Sequence, residues 1–163
     1  MTHLPIVKTT TWDDEQATQA FAQRLASLPA LRESFISLQG DLGVGKTALV
    51  RHLLRACGVS GRIKSPTYAL VESYELDDWA IWHFDFYRFV DANEWIEAGF
   101  RDVFTSPGLK LVEWPEKAGL LLPEPDLELH LQMQDGERRA VELVARTPRG
   151  LQMLSALSTQ DDP

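Results

Sequence analysis

One eight-residue segment constrains this sequence more than any other: residues Gly40 to Thr47 read GDLGVGKT. The segment matches the pattern G-x-x-x-x-G-K-[ST]. It stands between a β-prone run, Ser34–Gln39, and a helical pattern from Thr47 to Cys57 that Gly58 can terminate. Glycines let the backbone wrap a phosphate with its N–H groups, and the N-terminus of the following helix adds a positive dipole end. The segment therefore predicts a phosphate-binding loop.

The side chains of this loop predict a nucleotide and a metal ion. Lys46 is expected to neutralise the β- and γ-phosphates, and the Thr47 hydroxyl to coordinate Mg²⁺. ATP is favoured over GTP because the guanine-reading pattern N-K-x-D cannot exist here: the only asparagine, Asn93, is followed by Glu94. We predict that eight consecutive residues contact the nucleotide, namely Asp41, Leu42, Gly43, Val44, Gly45, Lys46, Thr47 and Ala48.

Such a site also needs an acidic residue at the end of a neighbouring apolar strand, to hold the metal. Asp85 ends the run Ala80–Phe84, and Glu113 ends the run Leu109–Val112. The spacing does not choose between them, and the alternative for either residue is a strand-end carboxylate exposed to water.

Other residues near these runs allow two interpretations each. The segment SPTY, Ser65 to Tyr68, is either a switch loop with a hydroxyl near the γ-phosphate or a turn that begins a strand. Strand alternation places His83, Asp85 and Tyr87 on one face, where His83 is either a catalytic base or a packed core residue. Trp12 either stacks on adenine or packs in the core.

The remaining patterns predict strands and helices in alternation. A helix is expected from Trp12, capped by Asp13 and ended by Pro29. The other predicted elements are strands at Tyr68–Tyr74, Ala80–Phe86 and Leu109–Trp114, helices at Glu94–Ala98, Pro115–Leu121 and Pro148–Leu157, and a hairpin of Leu127–Met133 with Arg138–Ala145 around a type I′ turn at Asp135-Gly136. The order predicts an α/β sandwich with a mixed, mainly parallel sheet, flanking helices and a C-terminal β-hairpin.

Length and charge limit the possible functions. A chain of 163 residues is expected to form one domain over residues 1–163. With 16 Lys+Arg and 24 Asp+Glu the net charge is −8, which disfavours a protein that binds nucleic acid by itself. Cys57 alone cannot form an internal disulfide, and no apolar run approaches the ~18 residues of a membrane span. We therefore expect a cytoplasmic protein with neither membrane nor DNA as a partner.

Four segments together resemble one family, the bacterial tRNA threonylcarbamoyladenosine biosynthesis ATPases called TsaE or YjeE. They are GDLGVGKTALVR from Gly40, SPTYALVESY from Ser65, HFDFYRF from His83 and LVEWPEKAG from Leu111. The resemblance implies a P-loop ATPase domain that uses ATP and Mg²⁺. It also implies that the chain acts on the TsaB–TsaD complex to permit repeated turnover in tRNA modification, and meets tRNA indirectly through these partners.

The resemblance further implies a role for each matching residue. Thr47 and Glu113 are the implied Mg²⁺ ligands, and Asp85 is implied to lie beside the metal and the γ-phosphate. Thr67 and Trp114 are implied to matter for ATP turnover, so the predicted catalytic set is Asp85, Thr67, Glu113 and Trp114. Two alternative functions remain, a small-molecule P-loop kinase and a non-catalytic docking switch that responds to ATP.

Overall fold

The computed structural model describes residues 3–66, 70–89, 93 and 99–161. Its strands are β1 (Ile6–Trp12), β2 (Phe35–Gln39), β3 (Val71–Glu75), β4 (Ala80–Asp85), β5 (Leu109–Glu113), β6 (Leu127–Met133) and β7 (Arg139–Ala145). Its α-helices are α1 (Glu15–Ala26), α2 (Lys46–Ala56), α3 (Phe100–Thr105) and α4 (Pro148–Asp161), with 3₁₀ turns at Pro29–Glu33, Pro115–Lys117 and Gly119–Leu121.

The described strands form one seven-stranded sheet in the order β1-β7-β6-β2-β5-β4-β3. The pairings of β2 with β5, β2 with β6 and β4 with β5 are parallel, and the others are antiparallel. Strands β1, β2, β4, β5 and β6 consequently run in one direction. The mixed sheet is therefore confirmed, and its parallel centre brings the ends of β2, β4 and β5 to one edge, where ligands bind in open α/β sheets.

Alternation along the strands divides the core between the two faces of the sheet. On β2, Ile36 packs in the larger cluster with α1, α2 and α4, whereas its neighbour Phe35 packs in a smaller cluster on the other face. Phe100 and Phe104 of α3 belong to this second cluster. The centre of the Phe84 ring lies 5.3 Å from the ring centre of Phe100 and 5.0 Å from that of Phe104. Helices thus flank the sheet on both sides, as predicted.

The N-terminal part of the chain differs from the prediction. Residues 6–12 form strand β1, which was not predicted, and Trp12 ends this strand instead of beginning a helix. Helix α1 begins at Glu15, and its cap is Asp14, whose Oδ1 accepts a hydrogen bond from Ala17 N at 2.9 Å, so the predicted cap at Asp13 is wrong. Pairing with β7 draws residues 6–12 into the sheet, which moves the helix start two residues past Asp13.

The hairpin of β6 and β7 is confirmed, but its turn is not type I′. That turn needs positive φ at both central residues, and Gly136 has φ 64° whereas Asp135 does not lie in the left-handed region. Gln134 and Arg138 close a longer loop, in which Gln134 N donates to Arg138 O at 3.0 Å. The hairpin of β3 with β4 is also confirmed.

Two further predictions have other outcomes. The expected helix at Pro115–Leu121 is instead two short 3₁₀ turns, at Pro115–Lys117 and Gly119–Leu121. The expected helix at Glu94–Ala98 lies outside the described residues.

Within the described ranges, no helix combines the length and the apolar composition that crossing a membrane requires.

Candidate phosphate-binding site

The loop between β2 and α2 has the backbone shape that its glycines allow. Gly40, Gly43 and Gly45 have φ values of 146°, 81° and 112°, which side chains other than glycine rarely adopt. Gly40 also packs tightly against the backbone of β6, because a Cβ at this position would lie 2.6 Å from the carbonyl oxygen of Leu131. Val44 N donates to Asp41 O at 3.1 Å and so closes a turn inside the loop.

Lys46 begins helix α2 and is buried, with 4% of its surface exposed. Its Nζ donates to the carbonyl oxygen of Gly40 across the loop and lies 3.6 Å from the centre of the Trp114 ring. Burial lowers the pKa of this ammonium, and the carboxylates of Glu113, Glu116, Asp85 and Asp41 oppose that shift. The loop therefore holds its cation in place at its centre.

Glu113 is the buried acid of the site and joins three elements. It ends β5 with 2% of its surface exposed, and its Oε1 accepts a hydrogen bond from Thr47 Oγ1 at 2.9 Å. Its Oε2 lies 2.6 Å from Nε2 of His83, which is 1% exposed on β4. The other ring nitrogen of His83, Nδ1, is buried and has no hydrogen-bond partner among the described residues. His83 therefore fixes the orientation of the carboxylate.

Asp85 lies beside Glu113, because the two residues are partners in the parallel pairing of β4 with β5. Its Oδ1 accepts a hydrogen bond from Tyr87 N at 3.0 Å. Burial raises the pKa of Asp85, and the nearby Glu113 carboxylate adds to the shift, whereas the Tyr87 N–H, His83 and Lys46 oppose it. The two acids left open as alternatives by the sequence thus lie side by side.

These side chains surround a cavity of 230 Å³ at the mouth of the loop. Its lining consists of Leu42, Gly43, Gly45, Lys46, Thr47, Ala48, Asp85, Tyr87, Glu113 and Trp114. Trp114 covers one side with φ 58°, which is unusual for a bulky residue, and its ring centre lies 5.0 Å from that of Tyr87. A larger open groove of 1040 Å³, lined in part by Asp41 and Val44, adjoins the outer side of the loop.

The donor set of the cavity fits Mg²⁺. A hydroxyl and a carboxylate, from Thr47 and Glu113, already lie 2.9 Å apart, and both are hard oxygen ligands. In the described part of the chain, no group of three His, Cys, Asp or Glu side chains could hold a metal ion. Mg²⁺ is commonly bound by one or two protein oxygens together with phosphate oxygens and water. The geometry therefore suits a metal that arrives with a phosphate ligand.

The other predicted residues are placed as follows. Asp41 and Leu42 are exposed at the tip of the loop, and Val44 is buried in the larger core cluster. Trp12 is 4% exposed and its ring centre lies 4.9 Å from that of Phe21, so it packs in the core, as the second of its two interpretations predicted. Thr67 lies outside the described residues.

Two contacts of the site were not found from the sequence. His83 appears in the sequence as one polar residue in an apolar strand, and alternation placed it on the same face as Asp85, but nothing indicated its bond to Glu113. Arg139, at the start of β7, donates from Nε to the carbonyl oxygen of Val44 at 2.8 Å. Arg139 and Val44 are 95 residues apart in the sequence, so no local sequence pattern could predict their contact.

The sequence profile of the family described as threonylcarbamoyl adenosine biosynthesis protein TsaE matches residues 12–141 of this chain. The chain belongs to the TsaE family. The matched range includes the loop, both acids and Trp114, and therefore contains every residue that lines the cavity.

Individual relatives agree with this assignment. A protein from Haemophilus influenzae, described as tRNA threonylcarbamoyladenosine biosynthesis protein TsaE, is 41% identical over 138 residues, which cover 85% of this chain and 87% of that protein. A Rickettsia bellii protein of the same description is 35% identical over 128 residues, covering 78% and 88%. The crystal structure of Bacillus subtilis YdiB has the same fold, with a TM-score of 0.77 over 99% of this chain and 100% of that chain, at 23% identity.

Proposed function

We propose that this protein binds and hydrolyses ATP with Mg²⁺ as a component of the bacterial machinery that forms threonylcarbamoyladenosine next to the tRNA anticodon. The protein belongs to the TsaE family, whose description is threonylcarbamoyl adenosine biosynthesis protein. The observation that carries the ATPase part is the contact of Thr47 Oγ1 with Glu113 Oε1 at 2.9 Å, beside Lys46 in a cavity of 230 Å³. These are the residue types that hold and neutralise a nucleotide phosphate with its metal.

Each side chain then has one task. The loop N–H groups and Lys46 bind the β- and γ-phosphates, and Thr47 and Glu113 hold Mg²⁺, which neutralises phosphate charge when it is bound. Asp85 presents a carboxylate to the same cavity and orients the attacking water. Trp114 and Tyr87 cover the cavity and limit access of other water. Thr67 is proposed to contribute to turnover through its hydroxyl.

Charge supports an indirect relation to tRNA. The net charge of −8 opposes direct binding of a phosphate backbone, so the protein is proposed to act in the cytoplasm on the TsaB–TsaD complex and to meet tRNA through these partners. Hydrolysis of ATP would return the complex to its starting state after each modification. The protein itself does not transfer the threonylcarbamoyl group.

The test is an assay of threonylcarbamoylated tRNA over several turnovers, with TsaB–TsaD, the threonylcarbamoyl-adenylate donor and this protein. Lys46→Ala should support a single round but not repeated turnover, whereas Lys8→Ala, at an exposed lysine of β1, should behave as the wild type. Full cycling with Lys46→Ala would refute the proposal.

Two control reactions separate the alternative functions. Equal repeated turnover with a non-hydrolysable ATP analogue would replace the ATPase by an ATP-dependent docking switch. Transfer of phosphate from ATP to a metabolite without TsaB–TsaD would indicate a small-molecule kinase instead.

A further inference from the structure

Arg139 joins the C-terminal hairpin to the phosphate-binding loop. Because β7 runs antiparallel to β6, its first residue lies at the sheet edge where β2 ends and the loop begins. The Nε of Arg139 donates to Val44 O at 2.8 Å, and its Nη1 donates to the carbonyl oxygen of Arg138 at 3.1 Å. Its side chain is half-buried and does not line the cavity formed by Lys46 and Glu113. Arg139 therefore contacts the loop from outside.

The contact determines the direction of one N–H group inside the loop. Val44 O and Gly45 N belong to the same peptide unit, which is planar and trans, so its C=O and N–H point in opposite directions. The carbonyl points to Arg139, and the Gly45 N–H consequently points away from it, while Gly45 itself lines the cavity. Arg139 thus affects the cavity indirectly, by holding the peptide unit between Val44 and Gly45.

This peptide unit needs an external anchor. Gly43 and Gly45 flank Val44 with φ values of 81° and 112°, and glycine gives both positions unusual rotational freedom. Inside the loop, the turn from Val44 N to Asp41 O, at 3.1 Å, holds the N-terminal side of Val44. On its C-terminal side, the guanidinium of Arg139 supplies a charge-assisted hydrogen bond to the Val44 carbonyl oxygen.

We propose that Arg139 is a positioning residue for anion binding, which holds the Val44–Gly45 peptide so that the Gly45 N–H faces a bound phosphate. The proposal rests on the proposed function, because it takes the anion to be the polyphosphate of a nucleotide. Preorganised donors bind an anion more tightly than donors that must first turn toward it. The guanidinium also polarises the peptide, which makes the Gly45 N–H a stronger donor.

The first experiment measures the affinities of Arg139→Met for Mg-ATP and Mg-ADP by calorimetry. Methionine keeps an unbranched apolar stem and removes the donor, so both Kd values should rise about tenfold, and equally, because both nucleotides carry the β-phosphate. The matched control is Arg138→Met, which removes the same charge from an exposed side chain that pairs with Asp13 at 3.3 Å. Its Kd values should change less than about twofold. An equal loss in both variants, or none in Arg139→Met, would overturn the proposal.

The second experiment requires no nucleotide and therefore separates this proposal from the proposed function. The Gly45 amide of the ligand-free protein should change its ¹⁵N and ¹H chemical shifts and exchange faster with solvent in Arg139→Met, and do neither in Arg138→Met. An unchanged Gly45 amide in Arg139→Met would refute the positioning role even if the wild type binds ATP. If the wild type failed to bind ATP while the Gly45 amide responded as expected, the proposed function would be wrong, and only the orientation of the Val44–Gly45 peptide by Arg139 would stand.

Discussion

Replacing Glu113 with glutamine separates the contribution of this side chain to folding from its proposed role as a metal ligand. In the variant, the amide oxygen can still accept the hydrogen bond that Thr47 Oγ1 donates at 2.9 Å. The amide NH₂ then faces His83 Nε2, which can accept a bond only if the ring moves its proton to Nδ1. That atom is buried without a partner among the described residues, so the change leaves one buried N–H unpaired.

The magnitude follows from these contacts. A charge-assisted hydrogen bond becomes a neutral one and the new N–H at His83 Nδ1 is buried without a partner, which together cost about 1–3 kcal/mol of unfolding free energy. For a chain of this length each kcal/mol lowers Tm by roughly 2–4 °C, so the ligand-free protein should melt about 2–12 °C lower. An amide is a much weaker Mg²⁺ ligand than a carboxylate, and Mg-dependent hydrolysis of ATP should fall about hundredfold or more.

The assay combines thermal unfolding in EDTA with ATP hydrolysis in Mg²⁺ at a temperature where both proteins are folded. Glu75→Gln, at an exposed carboxylate of β3, is the matched control and should change neither quantity. Hydrolysis within about threefold of the wild type would show that Glu113 is not a metal ligand. A Tm loss above about 15 °C would show that its main role is structural.

Other perturbations test the loop, the core and the single thiol. Gly40→Ala places a Cβ 2.6 Å from the Leu131 carbonyl oxygen and should lower the unfolding free energy in urea by about 1–3 kcal/mol beyond Gly43→Ala, where no atom lies within 4 Å. Trp12→Ala should cost about 3–5 kcal/mol in the same assay but leave the ATP affinity of the folded protein unchanged, since weaker binding would restore the stacking role. Burial raises the pKa of Cys57 to about 11 from its ordinary 9.0, so at pH 8 iodoacetamide should alkylate the native protein about hundredfold more slowly than the urea-unfolded chain. The native rate should rise with pH until about 11, and a plateau near pH 9 would contradict the burial argument.

The central strands could be predicted because burial on both sheet faces gives them apolar sequences. LKLVE of β5 is buried along its whole length, and the glycine motif fixed the position of the loop between β2 and α2. Strand β1 could not be predicted in the same way, because only Trp12 of its seven residues is buried. Its two aliphatic residues, Ile6 and Val7, are adjacent, and the positions between them and Trp12 are lysine and threonine, so no apolar run or alternation marks the strand. The acidic residues after Trp12 then favoured a helix that starts too early.

The contacts of the site depend on strand register, which the sequence does not contain. Asp85 and Glu113 were both recognised as strand-end acids, but their pairing across β4 and β5 decides that Glu113 meets Thr47 and His83. The same is true of Arg139, which reaches Val44 only after the C-terminal hairpin has joined the sheet beside β2. Local patterns identified the loop and the two strand-end acids, and the side chains that orient them came from distant segments.

The hydrogen bonds that join His83, Glu113 and Thr47 determine when the conformational entropy of these side chains is lost: at folding, before any ligand binds. Folding already restricts the rotamers of these three side chains, which are held to one another by contacts at 2.6 and 2.9 Å. The tip of the loop, by contrast, is exposed at Asp41, Leu42 and Gly43. Among the described residues that line the cavity, an entering ligand finds Glu113 and Thr47 already held in place, and the exposed Leu42, Gly43 and Tyr87 are left to be ordered. Because less order has to be imposed on binding, more of the binding free energy remains available as affinity.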